Sequence, residues 1–592
     1  MMNDPTFLGE VLSVSGSSIL IQLTPQVRSG LLIIEGRNHR IGQVGSFVRI
    51  PQGYNDLYGV IAETSESAVN DTKGIDDERR IIKVELVGES VGDQFERGIS
   101  QFPSINDEAH LVTENDLKKI YGDQSNGQVV IGKLSSSDSI NVSVDLNSLV
   151  NRHSALLGST GSGKSTSVSS LLRSIVTDYS DEITKPSSRI VLFDIHGEYA
   201  SALSDIATVY SVSPRKGEEK LFIPFWCVSP EKLIDFLCGQ NENIKNKFMD
   251  RMVHEKKEFA KNNDLEIDIE TITPYTPLPF RLNKIWYDLY HEDNVNWEEK
   301  ERETPSYIDE GDFTKLIPPT FKPPSTGANP PHKGGPQHMK KQLDLMKSRL
   351  LDGQYSFFLS PGAWKPSNTN KVDKDLSVLI KEWIGGVNPI TILDLSGMPS
   401  SRLDLLLGSL LDIMFEAAVW GRNLIEGMKE RPLLLVMEEA HRYLSNDSNG
   451  LSKDMVRRIA KEGRKFGVGS MLVSQRPSEI DETILSQCGT LFALRINNAT
   501  DRSRVKSAMS DGLSGIVDTL PILRTGEAIV TGEAARLPMR FRFKVPKDGR
   551  YPDSRDPEVS DKWSQAYSEM DYSKLVKAWR QQKAISSTDD EN

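Results

Sequence analysis

Two patterns of hydrophobic positions divide the chain. Up to about residue 110, short apolar runs at 9–14, 18–23, 45–50, 57–62 and 80–86 are separated by Ser/Gly turns. Five or more short strands at this spacing predict a small β-barrel. Further on, buried-strand runs alternate with helical faces. The runs are 155–157, 189–194, 390–395, 433–437, 469–474 and 490–495. Val168, Leu171, Leu172, Ile175 and Val176 fall at i, i+3, i+4, i+7 and i+8, one apolar face of a helix ending near Tyr179. Residues 403–418 form a second, longer apolar helix. Such alternation predicts an α/β fold with a mostly parallel sheet covered on both faces. Residues 527–532 and 539–543 add a predicted antiparallel edge.

One region breaks the alternation. Residues 233–236, 248–259 and 282–290 read as charged helices, followed by a Pro/Gly-rich section, 318–336, with no core of its own. The expected division is therefore a barrel (1–110), a first core segment (111–230), a helical insertion (231–385), a second core segment (386–550) and a polar tail (551–592). The tail carries one predicted helix, around 573–582, and reads as either a simple tail or a subunit-contact arm. The barrel holds no catalytic constellation, so partner docking is its expected role over a merely stabilising cap.

Composition narrows the function classes. A chain of 592 residues with 38% hydrophobic and 26% charged positions is an ordinary globular multidomain protein. A formal charge of −12 argues against a protein that coats nucleic acid throughout, while leaving room for a locally basic channel. Cys227, Cys238 and Cys488 have no metal-binding spacing, which fits a reducing cytoplasm. The N-terminus lacks a basic start and apolar core, so no signal peptide is expected, and no run is long enough to cross a membrane.

The chemistry centres on Gly158-Ser159-Thr160-Gly161-Ser162-Gly163-Lys164-Ser165, which satisfies Gly-x-x-x-x-Gly-Lys-Ser/Thr. A strand precedes it and a helix follows, so backbone N–H groups and the positive helix end are aimed at a polyphosphate. Gly158 to Ser165, with Thr166, form the expected ATP cradle; Lys164 reaches the β- and γ-phosphates and Ser165 holds Mg²⁺. The 433–437 strand ends in Glu438-Glu439-Ala440-His441. Two acids beside a phosphate loop suit hydrolysis, Glu438 ordering the metal and Glu439 polarising the attacking water. The bland reading, acids at a helix start, does not account for their coincidence with the loop. Gln475 follows another strand and is placed to sense the γ-phosphate or to hold the attacking water. Arg464 lies on a helix with Arg457, Lys461 and Lys465 on one face; it is either a solvated charge or a stabiliser of transition-state charge. Arg152 precedes the strand entering the loop, at the wrong end for its own nucleotide but available to a neighbour's. Asp194-Ile195-His196-Gly197-Glu198-Tyr199 closes another strand, where open α/β sheets place ligands.

Five blocks in order resemble the HerA branch of the FtsK–HerA ATPases. They are residues 152–165, Asp194–Tyr199 as quoted, Met437-Glu438-Glu439-Ala440-His441, Glu462-Gly463-Arg464-Lys465-Phe466-Gly467, and Ser474-Gln475-Arg476-Pro477. The resemblance spans roughly 1–550. It implies a RecA-like core and a homohexameric ring that moves on double-stranded DNA by hydrolysing ATP. It also implies Arg152 as a finger acting in trans, Arg464 as a sensor, and a nuclease or antiphage-defence NADase docked on the barrel. Glu438 stands where that family more often has Asp. A ring scaffold that activates an effector without processive travel is the alternative. The Glu-Glu-Ala-His string also superficially suggests a DEAH-type helicase, but about 115 residues after Gln475 leave no room for its second lobe.

Overall fold

The computed structural model describes residues 4–581 except 26–30, 35–36, 41, 70–76, 93, 122–126, 179, 326–328, 336–337, 397, 399, 447–449, 510–513, 548, 555–558 and 567. Tyr179, Pro336 and Gln582, ends of predicted segments, lie outside the described residues.

The N-terminal strands close into a barrel. Ser18–Leu23, Phe7–Ser15, Glu108–Leu111, Phe47–Gln52, Asn55–Val69 and Asp77–Val91 pair in that order, and Asp77–Val91 returns to Ser18–Leu23. Closure leaves no unpaired edge among these strands. Gln94–Arg97 is appended outside. Burial alternates along Ser18–Leu23, as a strand with one face on a core requires. Leu8, Val11, Ile21, Val48, Ile50 and Val84 are among the residues filling the interior. Phe47, Tyr58 and Val60 instead join the main hydrophobic cluster of the molecule, so the barrel is seated on the core. Gly515, in the short helix Ser514–Val517, meets the barrel backbone there. A Cβ on it would lie 2.0 Å from the Ala62 carbonyl oxygen, so only glycine permits this approach.

A twelve-stranded sheet forms the core. Its parallel centre runs Thr490–Ala493, Ser154–Leu157, Val468–Ser474, Leu433–Met437, Arg189–Asp194, Ile390–Asp394 and Ala207–Ser211. The central strands are buried throughout, and Leu433–Met437 shows no polar alternation, as expected when both faces are covered. Glu527–Gly532 and Met539–Phe543 are antiparallel, as the sequence predicts, but they are not the edge. Gln128–Leu134 and Ser137–Asp145 continue the sheet beyond them, a long-range pairing that local pattern does not reveal.

The insertion is more integrated than its charged helices suggest. Pro230–Cys238, Glu242–Asn262, Leu282–Asn294, Lys340–Leu351 and Leu376–Trp383 are helical, and Trp286, Trp364 and Trp383 are buried in the main cluster. Two indoles find carbonyl acceptors, Trp226 on Trp364 (2.9 Å) and Trp286 on Leu343 (3.0 Å). The Pro-rich section, read from sequence as having no core of its own, is paired to strands that precede it. Tyr307–Asp309 pairs with Thr320–Phe321, and Asn296–Trp297 with His332–Lys333. Tyr307, ahead of the section, stacks on Phe321 with ring centroids 5.2 Å apart. The tail holds two short helices rather than one, Val559–Trp563 and Ser573–Gln581, exposing Trp563 and Trp579.

Candidate nucleotide site

The phosphate loop links Ser154–Leu157 to the helix Lys164–Val176. Gly163 caps that helix at φ 87°, in the left-handed region where a side chain is strained. A Cβ there would also crowd Gly526 and Thr525. The loop is braced from two sides. Ser159 N–H donates to the Arg495 carbonyl (2.9 Å), an Arg495 guanidinium N–H donates to the Gly161 carbonyl (2.8 Å), and Gly526 N–H donates to the Ser162 carbonyl (3.0 Å). The sequence signal for Arg495 is a charge that ends the run 490–495.

Lys164 is buried and paired with the equally buried Glu439. Glu439 adopts φ 47°, ψ 42°, a left-handed conformation unusual for a residue with a side chain. It follows a fully buried strand, Leu433–Met437, and turns into the short 3-10 segment Ala440–Arg442. His441 Nδ1 lies 3.1 Å from Glu439 Oε2 and 3.2 Å from Ser474 Oγ. Burial pushes the His441 imidazole pKa down, against the pull of Glu439.

Glu438 is buried beside Asp194. Desolvation, followed by repulsion from Asp194 and Glu198, raises its carboxyl pKa well above the usual range; burial likewise raises that of Asp194. Asp194 also organises its own turn, accepting from Gly197 N–H (2.7 Å) and Tyr199 N–H (2.9 Å). The Tyr199 ring is wholly buried, and its hydroxyl stands next to Ser165 and Glu438, pushed far up in pKa by desolvation. Glu438 Oε2 is buried without a hydrogen-bond partner. Two adjoining buried carboxylates, one oxygen orphaned, next to a serine hydroxyl fit a divalent cation better than a packed core. Asp194, which the sequence places at a ligand-binding strand end, is the member of its polar cluster that the fold sets beside Glu438.

Gln475 joins this group: Thr160 Oγ1 donates to its Oε1 at 2.7 Å. Gly158 N–H donates to the Ser474 carbonyl (3.1 Å), so the loop and the Gln475 strand end together. The structure thus brings together Gly158 to Thr166, Glu438, Glu439 and Gln475. Arg152 and Arg464 do not reach this cluster. Arg152 caps the helix Leu146–Asn151 and pairs with Glu533 (3.2 Å). Arg464 is in the last turn of Leu451–Phe466, before the Val468–Ser474 strand begins. Both line one concavity, with Lys429, at the start of the parallel strands. Gln475 follows the other end of that strand, about 20 Å away at ~3.3 Å per residue.

Two family models cover most of this architecture: "Helicase HerA, central domain" matches residues 129–413 and "Helicase HerA-like C-terminal" matches 415–537. The chain is 29% identical over 494 residues to the DNA double-strand break repair helicase HerA of Sulfurisphaera tokodaii, covering 81% of this chain and 80% of that protein. It is 25% identical over 553 residues to the protein of the same name in Pyrococcus furiosus, covering 87% and 86%. Among solved structures, VirB4 of Thermoanaerobacter pseudethanolicus is similar at a TM-score of 0.44 and 13% identity, covering 73% of this chain and all of that one. With a braced phosphate loop, paired acids after a buried strand and both HerA models in register, the chain belongs to the HerA branch of the FtsK–HerA P-loop NTPases and is an ATP-hydrolysing enzyme of the helicase and translocase type.

Proposed function

We propose that this chain is the subunit of a homohexameric, cytoplasmic ATPase that moves double-stranded DNA and works with a nuclease or antiphage-defence effector, such as an NADase, docked on the barrel of residues 1–110. The observation that carries this reading is the split between the two ends of the sheet. Lys164, Glu439 and Gln475 gather at one end, while Arg152 and Arg464 stand together at the other. In a head-to-tail ring the arginine end of one subunit faces the nucleotide end of the next. Arg152 would then act as a finger in trans, and Arg464 would assist from the same face.

Within a subunit, Gly158 to Thr166 would cradle the ATP phosphates. Ser165 and Glu438, with Asp194 alongside, would hold Mg²⁺, which when bound offsets phosphate charge. Lys164 is held by Glu439 in this structure; exchanging that carboxylate for phosphate oxygens would free Glu439 to take a proton from water. Backbone tracking of duplex DNA needs no base-reading motif, only phosphate contacts in a channel. The insertion of 231–385 supplies none of these residues. No helix among the described residues is long and apolar enough to cross a membrane.

ATP turnover by the purified chain, with and without linear duplex DNA, tests the proposal. DNA should stimulate turnover, and Lys164→Ala should abolish it. Turnover indifferent to both DNA and Lys164→Ala would refute the reading.

A further inference from the structure

Gln475 belongs to the nucleotide cluster but is carried on a turn outside the phosphate loop, and that turn is tied down from an unexpected place. Three residues beyond it, Ser478 sits in the 3-10 segment Pro477–Glu479. Both the Ser478 N–H (3.0 Å) and its hydroxyl (2.6 Å) donate to Asp501 Oδ1, from the first turn of the helix Ala499–Ala508. Asp501 is 7% exposed. An acid in a first turn is ordinarily just a partner for the helix dipole. Here that duty is already met: Asn498 Oδ1 caps the helix, accepting from Thr500 N–H (2.8 Å) and Asp501 N–H (3.3 Å). The Asp501 carboxylate is left for Ser478.

The same helix start is fastened to the phosphate loop. Ser159 N–H donates to the Arg495 carbonyl, and Asn497 N–H reaches Ser159 Oγ at 3.4 Å. The loop, the Gln475 turn and the 495–501 segment thereby border an open polar cavity of about 350 Å³, lined by Thr160, Gln475 and Asp501 among others. We infer that Asp501 is a positioning residue for Gln475, holding the 475–479 turn in register with the phosphate loop, so that Ala499–Ala508 moves with the nucleotide site. That helix carries Arg502, Arg504 and Lys506, which places basic side chains on an element coupled to the γ-phosphate side. The inference rests on the proposed role of Gln475.

A double-mutant cycle on ATP turnover by the full-length chain tests it. Asp501→Ala should lower kcat about tenfold, the cost of roughly one net hydrogen bond to a charged group, with KM for ATP unchanged. Asp501→Asn keeps an acceptor at Oδ1 and should restore most of kcat. In a Gln475→Ala background, Asp501→Ala should cost nothing further. An unchanged kcat, or the same loss in both backgrounds, would overturn the inference and leave Asp501 as a packing residue only. Full turnover by Gln475→Ala would instead sink the role of Gln475 itself, and the inference with it. If Asp501→Ala does not fold, Ser478→Ala removes the 2.6 Å bond alone and is read in the same cycle, with a smaller loss expected.

Discussion

Glu439 shows how much chemistry is concentrated at single positions. Its left-handed backbone costs on the order of 1–3 kcal/mol, and it buries a carboxylate against Lys164 and His441. Strain and burial together point to a residue kept for its function. Glu439→Gln preserves shape and one acceptor oxygen but cannot accept a proton. It should leave ATP binding within a fewfold while lowering turnover about 100-fold or more, read by comparing nucleotide titration with phosphate release. Lys256, in the insertion, offers a stability test far from this chemistry. It is buried, donates to the carbonyls of Pro274 and Thr276 (2.7 Å to the latter), and desolvation lowers its pKa to about 7. The unfolded chain keeps this proton up to about pH 10.4, so burial costs stability most at and below pH 7, and the cost is relieved as pH rises towards 10. Wild type should therefore gain on Lys256→Met between pH 7 and pH 10, by up to about 4 kcal/mol, measured by parallel denaturant titrations. A constant difference would show that the two carbonyls hold the charged form without penalty. Glu439 was legible because it follows a buried run beside a phosphate-loop signature. Lys256 was not, because its helix reads as charged and solvated until the fold closes over it.

At the scale of elements, the phosphate loop is a geometric device supported by its neighbours. The helix Lys164–Val176 begins on Gly163 at φ 87° and ends where Thr177 turns extended, its N–H and hydroxyl both returning to the Arg173 carbonyl. Gly163→Ala would strain the cap and push on Gly526. Its expected cost is about 1–2 kcal/mol of stability, with KM for ATP raised at least tenfold while the far-ultraviolet circular dichroism is kept. Wild-type affinity in that variant would mean that the loop relaxes on binding nucleotide. Several core elements followed from periodicity with ends shifted by a few residues: 403–418 became Ser400–Trp420, and 469–474 became Val468–Ser474, whereas Lys340–Leu351, Leu376–Trp383 and Ala499–Ala508 had no predicted counterpart. Strand order did not follow. That Gln128–Leu134 lies against Met539–Phe543 depends on pairing across four hundred residues of chain, which no local signal records.

At the scale of the whole molecule, one main hydrophobic cluster runs from barrel strands through the sheet into the insertion. A change felt at the sheet therefore has packed routes to the barrel, one of them the close contact of Gly515 with Ala62. The separation of Arg152 from Lys164 makes a prediction about assemblies. Arg152→Ala and Lys164→Ala should each be inactive alone. Mixed after subunit exchange, they should regain part of the wild-type turnover, because some interfaces then pair an intact arginine face with an intact loop. No recovery in mixed rings that are demonstrably formed would count against Arg152 acting in trans.

Local sequence determined the phosphate loop, the two acids after a buried strand, the barrel and the alternating α/β core, because each rests on short-range periodicity or on fixed spacing along one element. Tertiary structure alone decided the rest. Asp194 faces Glu438, Asp501 holds the turn of Gln475, Arg464 shares a concavity with Arg152, and the insertion shares the core. Each of these joins residues distant in sequence, and the energy that brings them together is burial summed over the whole fold, which leaves no signature at the positions themselves.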